Sequence, residues 1–127
     1  MKKLSAIFLS LLLLTGCASQ PSAGTYQQIS QAQAAEIMKT EENYILLDVR
    51  TPEEFSQRRI PGAVNLPNEE ISAKNLSLLP DRDQIILVYC RSGNRSKQAS
   101  QKLADLGYTQ VMEFGGINTW NGEIQED

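Results

Sequence analysis

The sequence predicts an α/β fold in which a mostly parallel sheet carries helices on both faces. Two continuous apolar runs, "YILLDV" at 44–49 and "QIILVY" at 84–89, are typical of strands that are covered on both sides. Helix signals stand between these runs and after them, so strands and helices alternate along the chain, as in parallel α/β sheets. With 127 residues, of which 41% are apolar, the chain is long enough for one such domain and too short for two.

Capping patterns mark where the first two helices begin. "SQAQ" at 30–33 is a capping box and predicts a helix that continues to about Thr40. "TPEEF" at 51–55 combines the cap residue Thr51, a proline at the first helical position and Glu54 at the third. A short helix is therefore expected directly after the first long strand.

Turn and cap residues predict the remaining elements. Pro61 and Gly62 mark a turn, and Gly107 is placed to end a helix. The expected elements are a brief strand at 64–66, a helix opened by Asn68 that ends before Pro80, a helix from about Asn94 or Arg95 to Leu106, a strand at 110–114 and a short helix within "GGINTW" at 115–120.

The N-terminus reads as a secretory signal. Lys2 and Lys3 precede an eleven-residue apolar segment at 4–14, which is well short of the roughly 20 residues that a membrane-spanning helix needs. "LTGC" at 14–17 resembles the lipobox of bacterial lipoproteins, and this resemblance implies that Cys17 becomes an acylated first residue. We expect residues 1–16 to be cleaved, 17–25 to form a lipidated flexible tether and 26–127 to form the domain, held at a membrane of the bacterial cell envelope and facing outside the cytoplasm.

Composition excludes several classes of function. The formal net charge is -3, so nothing suggests a nucleic-acid partner. The chain contains no histidine, which excludes a Cys-His mechanism and a histidine metal site, and its two cysteines are too few for a thiolate zinc site. We expect neither a metal nor a cofactor.

The stretch "YCRSGNRS" at 89–96 is the candidate active site. Cys90 lies at the carboxyl end of a predicted strand, where ligands collect in open α/β sheets. The loop leads into a helix N-terminus, so backbone N–H groups and the charges of Arg91 and Arg95 can stabilise a thiolate. Alternatively, Cys90 is a buried structural residue and Arg91 a solvated surface charge. Cys90 is the candidate nucleophile, and the candidate binding residues are Arg91, Ser92, Gly93, Asn94, Arg95 and Ser96.

Four motifs together resemble the single-domain rhodaneses, a family of sulfurtransferases. They are "LLDVRTPEEF", "RIPGAVNLP", "YCRSGNRS" and "GGINTW", and in this order they cover about residues 26–122. The resemblance implies a five-stranded parallel sheet and a cysteine that takes sulfane sulfur from a small anionic donor such as thiosulfate. The resulting persulfide on Cys90 would pass its sulfur to cyanide or a thiol, with Arg91 binding the sulfonate end of the donor.

Two further expectations concern residues around the loop. Asp48, at the end of the first long strand, is expected to pair with Arg95 or Arg50 and so to support the site structurally. Trp120 of "GGINTW" is expected to cover the core. The chain departs from the family at Arg59, where a histidine often precedes the "IPGA" turn, so a donor contact made by that histidine is not carried over to this chain.

Two other functions stay open at this point. The first is a non-catalytic lipoprotein that carries persulfide or docks an envelope partner. The second is a phosphatase or arsenate reductase, whose Cys-x5-Arg pattern places an arginine where this chain has Ser96. The tighter loop with Arg95 one position earlier favours a single sulfur atom over phosphate. The sequence does not identify a protein partner.

Overall fold

A computed structural model describes residues 24–127, and these residues form an α/β fold. The predicted signal segment and Cys17 lie outside the described residues. In chain order the elements are β1 (Gln27–Gln28), α1 (Gln31–Thr40), β2 (Tyr44–Asp48), α2 (Pro52–Gln57), β3 (Arg58–Arg59), β4 (Val64–Asn65), a 3-10 helix (Asn68–Glu70), β5 (Ile85–Cys90), α3 (Asn94–Asp105), β6 (Gln110–Gly116), a 3-10 helix (Ile117–Thr119) and β7 (Gln125–Glu126).

Five strands form one parallel sheet in the order β1-β6-β5-β2-β4, which confirms the predicted fold class. The long strands β2 and β5 are adjacent, with Tyr44 paired to Ile85 and Asp48 paired to Tyr89. Both strands are apolar along their length because each face of the sheet is covered. Their carboxyl ends therefore meet at one edge, and Asp48 and Cys90 lie there.

A hydrophobic core lies on each face of the sheet. On one face Ala99 and Leu103 of α3 pack with Leu47 and Val88. On the other face Ala34 of α1 packs with a set of buried residues that includes Leu46, Leu87, Tyr89 and Phe114. Trp120 is partly buried against the second core, with its ring centroid 5.5 Å from that of Phe114. The alternating inward and outward side chains of the strands thus give each helix layer its own core.

Three of the predicted caps are present, at Ser30, Thr51 and Gly107. The Ser30 hydroxyl accepts a hydrogen bond from the Gln33 N–H at 3.0 Å, and the Gln33 side-chain oxygen accepts one from the Ser30 N–H at 2.8 Å. Thr51 and Glu54 make the same reciprocal pair at the start of α2. Gly107 has a φ of 98° where α3 ends, a conformation that favours glycine.

The helix predicted between Asn68 and Pro80 is wrong. Only one 3-10 turn, Asn68–Glu70, forms there, and Ile71 is already extended. Asn68 does not act as a cap: its side-chain oxygen accepts no hydrogen bond from the described residues, and its amide nitrogen donates to Gln98 of α3 at 2.9 Å. Further along, the Asn75 amide bonds to the Glu70 carbonyl and the Ser72 hydroxyl accepts from the Lys74 N–H, local bonds that replace helical ones.

The structure adds a second, antiparallel sheet that the sequence did not indicate. Its two short strands are β3 and β7, which pair Arg58 with Glu126 and Arg59 with Gln125. This pairing fastens the C-terminal segment beside the end of α2. Within residues 24–127 no helix is long and apolar enough to cross a bilayer.

Candidate active site

Cys90 is the last residue of β5 and lies at the carboxyl edge of the sheet. The strand before it is apolar and buried, which fixes the position of the cysteine backbone. The residue is only 1% exposed. The thiol is therefore almost completely enclosed by the fold.

Polar groups of that loop surround the sulfur. The Gly93 N–H donates to Cys90 Sγ at 3.0 Å, and Sγ lies 3.4 Å from the hydroxyl of Ser96. Gly93 is the N-cap residue of α3, with a φ of 113° that favours glycine. The sulfur consequently sits at the N-terminus of a twelve-residue helix, where N–H groups and the helix dipole favour negative charge.

The six candidate binding residues of the loop occupy different positions. Arg91, Ser92 and Asn94 are exposed, while Gly93 and Ser96 are buried. Arg95 is partly buried and its guanidinium binds the Glu54 carboxylate in a bidentate ion pair, at 2.7 and 3.0 Å. Ser96 turns inward, so its hydroxyl contacts the sulfur from inside the fold.

Glu54 links the two helix N-termini at the site. Its carboxylate accepts from the backbone N–H of Thr51 at the start of α2 and from Arg95 at the start of α3. The hydrogen bond from Arg95 is the main cause that lowers the pKa of Glu54 to about 2. The same pair raises the pKa of Arg95, and the nearby Cys90 contributes to this increase. Arg95 therefore presents a permanent positive charge close to the thiol.

Of the two partners considered for Asp48, the structure pairs it with Arg50. The Arg50 Nη2 lies 2.7 Å from Asp48 Oδ2, and both side chains are almost fully buried. The Arg50 backbone N–H also donates to Asp48 Oδ1 at 2.9 Å, and its guanidinium donates to the Arg58 carbonyl at 2.6 Å. This pair fixes the backbone between β2 and α2, next to the loop of Cys90.

A cleft of about 270 Å³ opens beside the loop. The cleft borders the loop that follows Cys90. Arg91 lines the cleft and is the residue directly after Cys90, and Glu54 lines it and binds Arg95 of the loop. Within residues 24–127 the Arg91 side chain has no ion-pair partner, and Arg58 has only a loose one, Glu126 at 3.8 Å. The cleft is lined by Arg50, Glu54, Gln57, Arg58, Arg91, Ile117 and Asn118.

Glu113 of β6 lies on the opposite side of the loop. It is 2% exposed and accepts a hydrogen bond from the Ser96 hydroxyl at 2.5 Å. Sequence reasoning assigned no role to Glu113 or Arg58. The available signal for Glu113 was an acidic residue inside an otherwise apolar strand, whereas Arg58 carried no signal because the β3–β7 pairing that positions it was not indicated.

Gly116 allows the close approach of the last strand to the loop. A Cβ at this position would overlap the Arg91 carbonyl oxygen and lie 2.6 Å from the Ser92 Cα. The next segment bonds the loop as well, since the Asn118 N–H donates to the Arg91 carbonyl at 3.1 Å. Gly116 of "GGINTW" therefore shapes the site. In the described part of the chain, no group of three His, Cys, Asp or Glu side chains is close enough to hold a metal ion.

Comparison with known proteins gives one consistent family. The family model that describes a rhodanese-like domain matches residues 30–123. Thiosulfate sulfurtransferase PspE from Escherichia coli is 38% identical over 71 residues, which are 56% of this chain and 68% of that protein. A sulfurtransferase from Allochromatium vinosum is 42% identical over 80 residues, covering 62% of this chain and 73% of that protein.

The solved structures agree with the sequence comparison. A rhodanese with anions from E. coli superimposes with a TM-score of 0.61 at 32% identity, covering 66% of this chain and 99% of that one. The chain and this structure therefore share their arrangement of strands and helices over the part that the comparison covers.

Proposed function

The chain belongs to the family of rhodanese-like domains, and on this premise we propose that it is a sulfurtransferase that carries sulfane sulfur as a persulfide on Cys90. The observation that carries the proposal is the environment of the sulfur. Cys90 Sγ lies at the N-terminus of α3 with the Gly93 N–H directed at it, at 3.0 Å. Such fixed dipoles stabilise negative charge on sulfur without having to reorient during the reaction.

The proposed cycle has two nucleophilic steps. The Cys90 thiolate attacks the outer sulfur of thiosulfate, a new S–S bond forms, and sulfite leaves with the electrons of the broken S–S bond. Cyanide or a thiol then attacks the outer sulfur of the persulfide, and the Cys90 thiolate is released. Both the donor and the persulfide are anionic, so the N–H groups and Arg95 serve each stage of the cycle.

The cleft beside the loop supports an anionic donor. Arg91 and Arg58 line it with guanidinium groups that have few or weak partners among the described residues. A guanidinium binds the oxygens of a sulfonate or sulfate-like group through paired N–H donors. A solved rhodanese from E. coli is described as containing anions, which is consistent with an anionic ligand for this chain. We expect thiosulfate to bind in this cleft as a small donor, with its oxygens toward the arginines.

Turnover of thiosulfate and cyanide tests the proposal. Residues 24–127 contain the complete sheet, and the soluble protein that lacks the predicted signal segment should yield thiocyanate, while Cys90→Ser should yield none. Activity that survives Cys90→Ser contradicts the assignment. A persulfide that forms on Cys90 without turnover would show a sulfur carrier, the alternative class that the sequence left open.

We also propose that the domain is lipid-anchored in the bacterial cell envelope. The support is the N-terminal pattern alone: two lysines, an apolar segment and "LTGC" ending at Cys17. Acyl chains on one cysteine hold a soluble domain at a bilayer through burial of their CH₂ groups. Expression of the full chain with a radiolabelled fatty acid should label the protein, and Cys17→Ser should abolish the label. An unlabelled wild-type chain would overturn the anchor.

A further inference from the structure

Glu113 is a buried carboxylate that the proposed cycle leaves without a role. It is 2% exposed and pairs with Val88 of β5 in the sheet. Its Oε2 accepts from the Ser96 hydroxyl at 2.5 Å and from the Gly115 N–H at 2.9 Å, and its Oε1 lies 3.4 Å from the Gln28 amide. All three donors are neutral. A buried charge held only by neutral donors is costly, which calls for an explanation.

A continuous line of hydrogen bonds joins this carboxylate to the thiol. Cys90 Sγ donates to Ser96 Oγ at 3.4 Å, and Ser96 Oγ donates to Glu113 Oε2 at 2.5 Å. The Ser96 hydroxyl also lies 2.9 Å from the Gly93 carbonyl, but a carboxylate is the stronger acceptor. All three side chains are at most 2% exposed. The thiol proton thus has a protein path to an acceptor.

We propose that Glu113 is a positioning residue that receives the Cys90 proton through the Ser96 hydroxyl. The S–H bond breaks and its electron pair stays on sulfur. Ser96 Oγ takes this proton while its own passes to Glu113 Oε2, so the carboxylate becomes a neutral acid. The site then carries the same total charge as before, now on the sulfur. No oxidant, reductant or second reactant is needed.

The surroundings favour this redistribution of charge. One negative charge in a buried site is less costly than two on neighbouring groups. The sulfur has the α3 N-terminus and the charge of Arg95 nearby, whereas the carboxylate has only neutral donors. Of the other elements around Glu113, β1 and α1 contribute the uncharged Gln28 and Gln31, and α3 contributes Lys97 to the wall of the same cavity.

That cavity, of about 350 Å³, gives the carboxyl group its exchange with solvent. It lies on the side of the loop away from the cleft of Arg91, and Glu113, Gly93 and Gly115 line it. The donor and the proton therefore use different sides of the loop. This inference rests on the proposed function only for its use in sulfur transfer, since the proton path itself concerns Cys90 and its neighbours.

The pH dependence of Cys90 reactivity tests the inference. Glu113→Gln keeps the shape of the side chain and removes the proton acceptor. At mildly acidic pH, alkylation of Cys90 by iodoacetamide should slow by about 10²-fold in this variant, the lower range for a positioned proton acceptor. The difference should close at alkaline pH, where hydroxide removes the proton in both proteins. Equal or faster alkylation of Glu113→Gln at acidic pH overturns the inference.

Serine variants separate the relay from a packing effect. Ser96→Ala interrupts the path and should show the same loss at acidic pH, and the double variant with Glu113→Gln should be no slower than Ser96→Ala. Ser100→Ala is the matched control, because Ser100 is fully buried on the same helix and its hydroxyl has no partner among the described residues. It should keep the wild-type profile. If Glu113→Gln does not fold, a wild-type profile of Ser96→Ala alone overturns the relay.

Alkylation also distinguishes failure of the relay from failure of the proposed function. It needs no sulfur donor, so it reports the proton path even if thiosulfate is not a substrate. The second measurement is the uptake of sulfur from thiosulfate in a single turnover over the same pH range. Sulfur uptake without the pH effect refutes the relay alone, and the pH effect without sulfur uptake refutes the sulfurtransferase alone.

Discussion

The guanidinium of Arg95 and the carboxylate of Glu54 form a bidentate ion pair, with nitrogen-to-oxygen distances of 2.7 and 3.0 Å. The pair joins the first turn of α3 to the first turn of α2. It also fixes a positive charge close to Cys90 without leaving that charge free to bind the donor directly. Arg95 therefore acts on the thiol as a fixed positive charge, whereas Arg91 remains available to bind the donor.

The Glu54 pair should make stability depend on acidic pH. The pKa of Glu54 falls from the ordinary 4.5 to about 2, mainly through the hydrogen bond with Arg95. A carboxyl group with a lowered pKa stabilises the fold at pH values above its ordinary pKa. This contribution is lost as the pH falls through the pKa that the group has in the folded protein. Because the pair is partly exposed, Glu54→Gln should cost about 1–2 kcal/mol at neutral pH. In urea unfolding, the difference in free energy of unfolding between the wild type and Glu54→Gln should shrink as the pH falls from about 5 to about 2. A difference that stays constant over that range contradicts the assignment.

Asp48→Asn should be strongly destabilising. It leaves Arg50 charged, buried and without its ion-pair partner, which should cost about 3 kcal/mol or more. Asp127→Asn makes the same chemical change in an exposed pair with Arg59 and should cost under about 0.5 kcal/mol. Chemical denaturation of both variants compares the two sites. A small effect of Asp48→Asn would mean that the buried pair does not fix the site.

Gly116→Ala should disturb the loop and the activity together. The new Cβ meets backbone atoms of Arg91 and Ser92, which cannot move without shifting the loop. We expect a loss of about 2–3 kcal/mol and a large loss of sulfur transfer. Gly62→Ala is the control, because Gly62 also has a positive φ, of 87°, but no atom lies within 4 Å of its Cβ position. It should lose about 1–2 kcal/mol through backbone strain and keep its activity.

Arg91→Gln should weaken donor binding more than it slows the chemical step. The side chain lines the cleft but makes no hydrogen bond to Cys90 in the described structure. Loss of one charge-assisted contact should raise the KM for thiosulfate by about 10-fold or more. Steady-state kinetics at fixed cyanide measures this, with Lys97→Gln as a control cation on the other side of the loop. An unchanged KM for Arg91→Gln would mean that the donor binds elsewhere.

The fold was predictable where local signals and packing agree. The apolar runs of β2 and β5 are typical of strands that are covered on both sides, and the capping boxes at Ser30 and Thr51 mark two helix starts. Between Asn68 and Pro80, local hydrogen bonds from side chains replace those of the predicted helix. The pattern of apolar residues in the sequence does not indicate such bonds. The β3–β7 sheet involves strands of two residues, too short to leave a pattern.

The site was predictable to the extent that it lies in one stretch of sequence. The loop from Cys90 to Ser96 is contiguous in the sequence, so its chemistry could be inferred from its residue types. Glu54, Arg58 and Glu113 approach it from other elements, and only the strand order places them there. The sequence suggested a histidine-free site that relies on electrostatics. The acidic residue in an apolar strand was a signal for Glu113, but its contact with Ser96 is visible only in three dimensions.

The most direct test of the central claim is the mass of Cys90 itself. After a single turnover with thiosulfate, intact-mass and peptide analysis should find one added sulfur atom on the peptide that contains Cys90, and cyanide should remove it and release thiocyanate. Because Cys90 is the only cysteine in residues 24–127, the adduct has one possible thiol to occupy in that region. A protein that folds normally, yet gains no sulfur on Cys90 from thiosulfate, would contradict the account.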